Sequence, residues 1–414
     1  MTSAGARSDA GVSRRRSQQR ALLLAIAITL GGVAPVFLVT GMGVQIRADL
    51  GLTESRLGLA VTGYFTVSAI GSVLAGRFTE RIGAGTAVPI SVGLATTAMI
   101  GLAVLTDGFS TLLVFLMLGG MGSAMAHPSA NLTLARDITL PRQGVAFGIK
   151  QAAVPMGSLL GGAAVPVLAL TLGWRWAFGL ASVIVGVLLV VTLTAARPRL
   201  VDVSLASRRP EVAAPASMPS LVALCVAAVF GTAAGNSLAT FLAIAAVDIG
   251  IGPAAAGVLV AVASGAGVAM RVIVGWGADR HVYDHLRTIL AIMAVATCAF
   301  GVLAVGSGLD LVPMFVVAAF VGFGAGWGWH GLMTYAIVRR HPDAPAFSTG
   351  MLQGGIGAGG VVGPVSIGFI IERVSYPAAW WTATASLALA MVIVAVIIRS
   401  DRSGRRPADT GAHQ

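Results

Sequence analysis

Twelve apolar runs, each long enough to cross roughly 30 Å of hydrocarbon, leave this chain few folds to choose from. Six fall near residues 21 to 44, 56 to 76, 86 to 105, 111 to 134, 145 to 170 and 176 to 196. Six more fall near 220 to 245, 253 to 277, 288 to 308, 312 to 337, 347 to 371 and 377 to 398. With 56% of its 414 residues hydrophobic, only 10% charged, and 54 glycines, the chain is unlike a soluble domain of ordinary composition. The runs predict an all-α membrane protein of twelve transmembrane helices in two six-helix bundles. Between the sixes, residues 197 to 219 hold four arginines and four prolines and read as a linker. The expected division is a basic tail at 1–20, a bundle at 21–196, the linker at 197–219, a second bundle at 220–398 and a second tail at 399–414.

A net charge of +11 raises the question of nucleic acid. The cations, however, lie mostly in short tracts between or beyond the apolar runs, where they would meet the anionic lipids of an inner leaflet, so no nucleic-acid partner is expected. Cys225 and Cys298 both sit inside apolar runs and suggest neither a disulfide framework nor a metal site. The first twenty residues carry five arginines and no long apolar run, and read as a retained tail, not a signal peptide. With the N-terminus inside, only Arg47, Arg56, Arg175 and Arg373 of the 27 basic residues lie outside, and two fall within spans. The positive-inside rule therefore places both termini in the cytoplasm, in a plasma (cell inner) membrane. Trp174 and Trp176, with Trp380 and Trp381 in the equivalent loop, would form an outer aromatic belt.

The two halves repeat. Gly76-Arg77-Phe78-Thr79-Glu80-Arg81 reappears 199 residues later as Gly275-Trp276-Gly277-Ala278-Asp279-Arg280. At the same offset Asp49, Gly51 and Gly58 match Asp248, Gly250 and Gly257. At 203, Gly119, His127 and Arg136 match Gly322, His330 and Arg339; at 202, Gly148, Gln151 and Ala177 match Gly350, Gln353 and Ala379. Six spans return the chain to its starting side, so these are parallel repeats about an axis along the membrane normal.

On these turns and this duplication the chain resembles the major facilitator superfamily over essentially all of its spans. The resemblance implies pseudo-two-fold symmetry, a central site and secondary transport by alternating access, with a monomeric protein, membrane lipids around it, no enzyme activity and no cofactor. It also implies a cytoplasmic gate made by Gly76, Glu80, Arg81 and Gly83 with Gly275, Asp279 and Arg280. Here the chain departs from the family pattern. Glu80 replaces an aspartate, Ala84 and Gly85 stand where basic residues are usual, and Val282 stands where a glycine is expected.

Charge inside a membrane is expensive, about 2.5 to 3.5 kcal/mol for a central Arg or Lys on insertion scales, so each intramembrane polar residue is a candidate for function. The cores of spans three, six, nine and twelve, which the resemblance places at the periphery, contain no Lys, Arg, His, Asn or Gln. The others hold His127, Asn131, Lys150, Gln151, Asn236, Arg271, His330 and Gln353, as a polar central cavity requires. Lys150, the only lysine, continues into a stripe of Val154, Gly157 and Gly161; Arg271 follows Ser264 and Gly267 and precedes Gly275. Small residues mark close helix packing, which turns both cations inward. The alternative for each is a side chain snorkelling to the interface or packing there.

No aspartate or glutamate lies deep within a span, and a cavity with two cations and no fixed anion favours an anionic cargo. An arginine in span eight also resembles the oxalate/formate, monocarboxylate and nitrate/nitrite porters, although the second cation of those families usually lies elsewhere. His127 or His330 is a candidate carrier for a symported proton or a neutral packing residue. Gln151, Asn131, Asn236 and Gln353 would supply neutral hydrogen bonds. Trp327 and Trp329 would cover a flat cargo or simply pack. The reading is thus a transporter of a small anion, with or without protons. A multidrug/proton antiporter is the alternative, and a membrane sensor without flux a remoter one. Pro155 and Pro166 lack the preceding glycine of the antiporter signature in span five.

Overall fold

The computed structural model describes residues 3–137, 143–195, 218–280, 285–341 and 345–403, and among these all regular structure is helical. Eleven stretches of the described residues are long and apolar enough to cross a membrane. The remaining predicted span lies in α3 (Glu54–Ile82), a 29-residue helix packed between α5 (Phe109–Asp137) and α13 (Pro345–Arg373). Its apolar character is diluted by Thr62, Thr66, Ser68 and Ser72 and by charges at both ends.

Two predicted runs are not single helices. The first begins far earlier than residue 21: α1 spans Ser3–Gly41, and after a break at Met42 a short α2 (Gly43–Leu50) follows. The fifth divides into α6 (Gln143–Gln151), α7 (Ala153–Ala164) and one π-helical turn at Val165–Ala169. In the fifth run both lapses coincide with missing proline donors, although α1, α4, α5 and α13 continue through prolines of their own. Pro155 cannot donate to the carbonyl of Gln151, and Pro166 cannot donate to that of Gly162, so the regular ladder lapses at both places. Past Pro166 the chain recovers with Leu170 N donating to Val165 O, five residues back, at 3.0 Å.

The internal repeat is written into the turns. α2 and α9 (Met218–Asp248) each end on a glycine of positive φ, Gly51 at 62° and Gly250 at 89°. In each turn the next residue donates to a carbonyl five back, Leu52 N to Arg47 O at 3.1 Å and Ile251 N to Ala246 O at 2.9 Å. Only glycine adopts this left-handed closure without strain. The next helices start differently: the Thr53 hydroxyl accepts from Arg56 N before α3, whereas α10 (Pro253–Arg280) opens on a proline.

Two seams join the first half of the chain to the second. In one, α3 lies on α13: Ser55 N donates to Glu372 Oε2 at 3.2 Å and the Thr62 hydroxyl to Val361 O at 3.0 Å. In the other, α7 lies on α10, where Gly162 and Gly257 bring backbones into contact; a Cβ on Gly162 would meet Gly257 O and Ala261 N at 2.6 Å. The α3–α13 seam is anchored at the end of the molecule that carries Glu54. There Arg47 pairs with Glu54 at 2.6 Å, and Tyr376 of α14 (Tyr376–Ser403) donates to Glu54 at 3.3 Å. Toward the opposite end, open space surrounds Gly275 and Gly277 of α10 and Gly350 and Gly354 of α13. α4 (Ala84–Val104), α8 (Trp174–Ala195) and α11 (His285–Gly308) complete the fold with α12 (Val312–Arg340). α8 turns Val183, Ile184, Val187 and Val190 outward, as a lipid-facing helix does.

Two measurements test this packing. Gly162→Leu inserts a side chain where two backbones touch and is expected to lower stability in detergent by about 1–3 kcal/mol. Gly186→Ala, whose new Cβ would meet only Thr96 Cγ2 at 3.8 Å, is expected to melt as the parent does. The second concerns Asp49, whose carboxylate accepts from Arg175 Nη1 at 2.5 Å and from Trp174 Nε1 at 3.1 Å. Those bonds hold its carboxyl below the usual aspartate value, the Arg175 bond most. A carboxyl lowered on folding stabilises the fold above its unfolded value, and the contribution disappears as pH falls through the folded one. The melting difference between the parent and Asp49→Asn, modest at neutral pH because the pair is half exposed, is therefore expected to vanish on acidification through that range.

Candidate functional site

α5 places His127 and Asn131 one turn apart, on one face. Into that face reaches Lys150 from the last turn of α6. Its Nζ donates to Asn131 Oδ1 at 3.0 Å and lies 3.2 Å from His127 Nδ1. With the ammonium as donor, His127 accepts at Nδ1 and carries its ring hydrogen on Nε2. Lys150 is only 2% exposed, which rules out snorkelling.

Arg271, in the middle of α10, is equally enclosed at 6% exposure. Its Nε donates to the Trp327 carbonyl at 3.0 Å, its Nη1 donates to the Gln151 carbonyl, and its guanidinium carbon lies 5.2 Å from the Trp327 ring centroid. Gln151 is the chain neighbour of Lys150, so two cations from different halves converge on one turn. Among the described residues no carboxylate lies within ion-pair distance of either. Burial of an unpaired ion costs several kcal/mol after relaxation, and a hydrogen bond to a charged group returns about 1.5–3. The arrangement holds net positive charge that neutral acceptors offset only in part.

His330, the repeat mate of His127, has different company. Its Nε2 lies 3.2 Å from the Thr232 hydroxyl of α9, and its ring stacks on Trp329 at 3.9 Å between centroids. Trp329 is wholly buried, seated where Gly231 leaves room; a Cβ there would come within 2.6 Å of the indole. Trp327 lies between Phe323 and His330, with the edge of Phe37 beside it. Both indoles therefore pack, and neither offers a free face to a flat cargo. Asn236 is buried with its amide nitrogen against Gly360 of α13, whereas Gln353 is exposed and stands apart from the Lys150 cluster. Gln151 takes part through its main-chain carbonyl, a contact that side-chain inventory does not foresee.

The asymmetry seen in the sequence is physical. Leu352, at the position equivalent to Lys150, is fully buried, and Ser72, equivalent to Arg271, bonds within its own helix to Ser68 O at 2.6 Å. Of the predicted gate residues, Arg81 is exposed and Gly83 breaks α3 from α4 with φ 75°. Gly275 lies within α10 beside open space. Gly76, Glu80, Asp279 and Arg280 fall in the helical ends of α3 and α10, and their surroundings lie outside the described residues.

The fold and site define a polytopic helical membrane protein with a cationic interior. Residues 21–350 match the sequence profile of the Major Facilitator Superfamily. An MFS-type efflux pump of Mycolicibacterium smegmatis is 31% identical over 303 residues, covering 68% of this chain and 67% of that protein. An uncharacterised MFS-type transporter of Mycobacterium tuberculosis is 28% identical over 133 residues, 32% of this chain and 23% of its own length. The probable sulfoacetate transporter of Cupriavidus necator is 28% identical over 137 residues, 32% of this chain and 31% of its own. The chain thus spans less than a third of the length of the latter two in these matches. It belongs to the Major Facilitator Superfamily, whose members are transporters of small molecules and not enzymes.

The lysine cluster makes a stability test. Asn131→Leu removes an acceptor from a buried ammonium and is expected to cost about 1.5–3 kcal/mol. Lys150→Met in the same chain is expected to restore part of that loss: it removes the under-satisfied ammonium, but it also takes the donor from His127 Nδ1. Chemical denaturation in detergent of the two single variants and the double reads the difference.

Proposed function

We propose that this protein is a secondary active transporter of a small oxyanion, an organic carboxylate or sulfonate, carried by alternating access with or without protons. The observation that carries the reading is the pair Lys150 and Arg271, both buried and both without a carboxylate, converging on the Gln151 turn. Lysine offers a compact point charge and arginine two parallel donors, a combination suited to a carboxylate or sulfonate group. Asn131 and Asn236 would add neutral hydrogen bonds, and Gln353 would join them if the halves close around the cargo. His127 or His330 would carry the proton where one is coupled. The similarity to a probable sulfoacetate transporter fits an anionic cargo.

The architecture in this reading is twelve spans in two bundles related by pseudo-two-fold symmetry, monomeric in the plasma (cell inner) membrane, with both termini cytoplasmic. The bonds from Ser55 N to Glu372 and from Tyr376 to Glu54 join the halves at the Glu54 end and support a conformation closed there and open to the cytoplasm. The gate would be Gly76, Glu80, Arg81 and Gly83 with Gly275, Asp279 and Arg280. A multidrug efflux pump is the second reading, favoured by the long match to the mycobacterial pump. The absence of a deep intramembrane carboxylate from the sequence weighs against it.

Uptake of labelled carboxylates, sulfoacetate, cyanate and nitrate into proteoliposomes, with and without a pH gradient, tests the proposal. At least one of these anions is expected to accumulate, and Lys150→Ala and Arg271→Ala are each expected to reduce its uptake about ten-fold or more. Unchanged uptake in both variants would sink the site. Tolerance to lipophilic cations gained on expression, with no anion uptake, would favour the pump.

A further inference from the structure

Gln151 has a carbonyl that its own helix cannot satisfy. In a regular helix that oxygen accepts from the N–H four residues on, and here that residue is Pro155. The break between α6 and α7, at Ala152, lies where this bond is missing. Inside a membrane no water stands ready to take an orphaned acceptor. The donor comes instead from Arg271 of α10, 120 residues away in sequence. The proline creates the vacancy and the arginine of the other chain half fills it.

The internal repeat supplies a comparison within the same molecule. The offset of 202 carries Pro155 to Gly357, and that of 199 carries Arg271 to Ser72. Gly357 has its N–H, and α13 runs through it without interruption from Pro345 to Arg373. Ser72 is occupied within its own helix. At the other seam the positions equivalent to Pro155 and Arg271 hold glycine and serine, and the proline of α13, Pro364, lies one turn past Gly360 inside an unbroken helix.

We infer that Pro155 is a positioning residue: by freeing the Gln151 carbonyl it holds Arg271 as a tether between the two chain halves, which an anionic cargo releases. The inference rests on the anion reading above. An oxyanion beside Lys150 competes with the carbonyl for the guanidinium, and charge-assisted bonds to an anion are roughly twice as strong as those to a neutral acceptor. A ligand moves a conformational equilibrium only through contacts that differ between the two states. Exchange of Gln151 O for cargo oxygen on Arg271 is such a difference: it removes the contact between the α6–α7 break and α10 when the site fills.

The test uses the full chain in nanodiscs, with Cys225 and Cys298 replaced and spin labels at Thr86 of α4 and Arg339 of α12, both exposed and in different halves. Electron–electron distance measurements are made on the parent, Pro155→Ala, Arg271→Gln, the double variant and Arg271→Lys, with and without sulfoacetate, oxalate or nitrate. Pro155→Ala returns the missing N–H. Without anion, it and Arg271→Gln are each expected to change the ratio of the two distance populations about ten-fold, the effect of losing one hydrogen bond to a charged group. The double variant is expected to add nothing to either single change, since both act on one contact. A purely local effect of Pro155 on helix shape would instead add to that of Arg271. Arg271→Lys keeps the charge without the two-pronged grip and is expected to show the shifted ratio while still responding to anion.

Parent-like populations in Pro155→Ala, or additive changes in the double variant, would overturn the tether. A shift in both single variants with no response of the parent to any of the three anions would overturn release by an anion, and the anion reading with it, while the tether stands.

Discussion

A lysine and an arginine held in the interior of a membrane protein, with carbonyl, amide and imidazole acceptors but no carboxylate beside them, leave positive charge that the fold does not cancel. The rest of the structure is arranged around that imbalance. α5 contributes acceptors one turn apart, α6 ends where its lysine reaches them, and α10 presents its arginine to the neighbouring turn. A permanent carboxylate would have neutralised the pair and removed any reason for an anion to enter. Held this way, the cations are partly satisfied, enough for the chain to fold, and still able to gain from a better partner.

The division of labour between the halves follows from the same point. Shared features, such as the Gly51 and Gly250 turns and the glycine-lined seams, build a scaffold in duplicate. Features found once, Lys150, Arg271 and Pro155, lie together at one seam. His127 and His330 show how a shared position acquires two uses: one imidazole touches the lysine, and the other is stacked on Trp329 and bonded to Thr232. In the proposed transporter, duplication would give the motion its symmetry and the unduplicated residues would give the cargo its place.

The sequence made the helical class, the repeat and the inward direction of both cations legible, because these depend on local pattern: apolar length, offset matches and small-residue stripes. Lys150 beside His127 and Asn131 was half legible, since their faces were predictable and their mutual distance was not. The break between α6 and α7 was missed although its signal was present, a proline four residues after Gln151. The partner of the freed carbonyl was not readable at all, because Arg271 meets it only through packing across 120 residues of chain. The early start of α1 escaped because apolar length was the guide, and the segment from Ser3 to Arg20 is polar.

The contact of Gly162 with Gly257 has a kinetic side. Two backbones meet there with Val165 and Val260 packed alongside, so parting them would ask few side chains to change rotamer. In the transport cycle proposed above, such a joint would act as a low-friction bearing. Its contribution to the barrier for rocking would be small, and the speed of the cycle would then fall to the polar contacts that must be exchanged elsewhere.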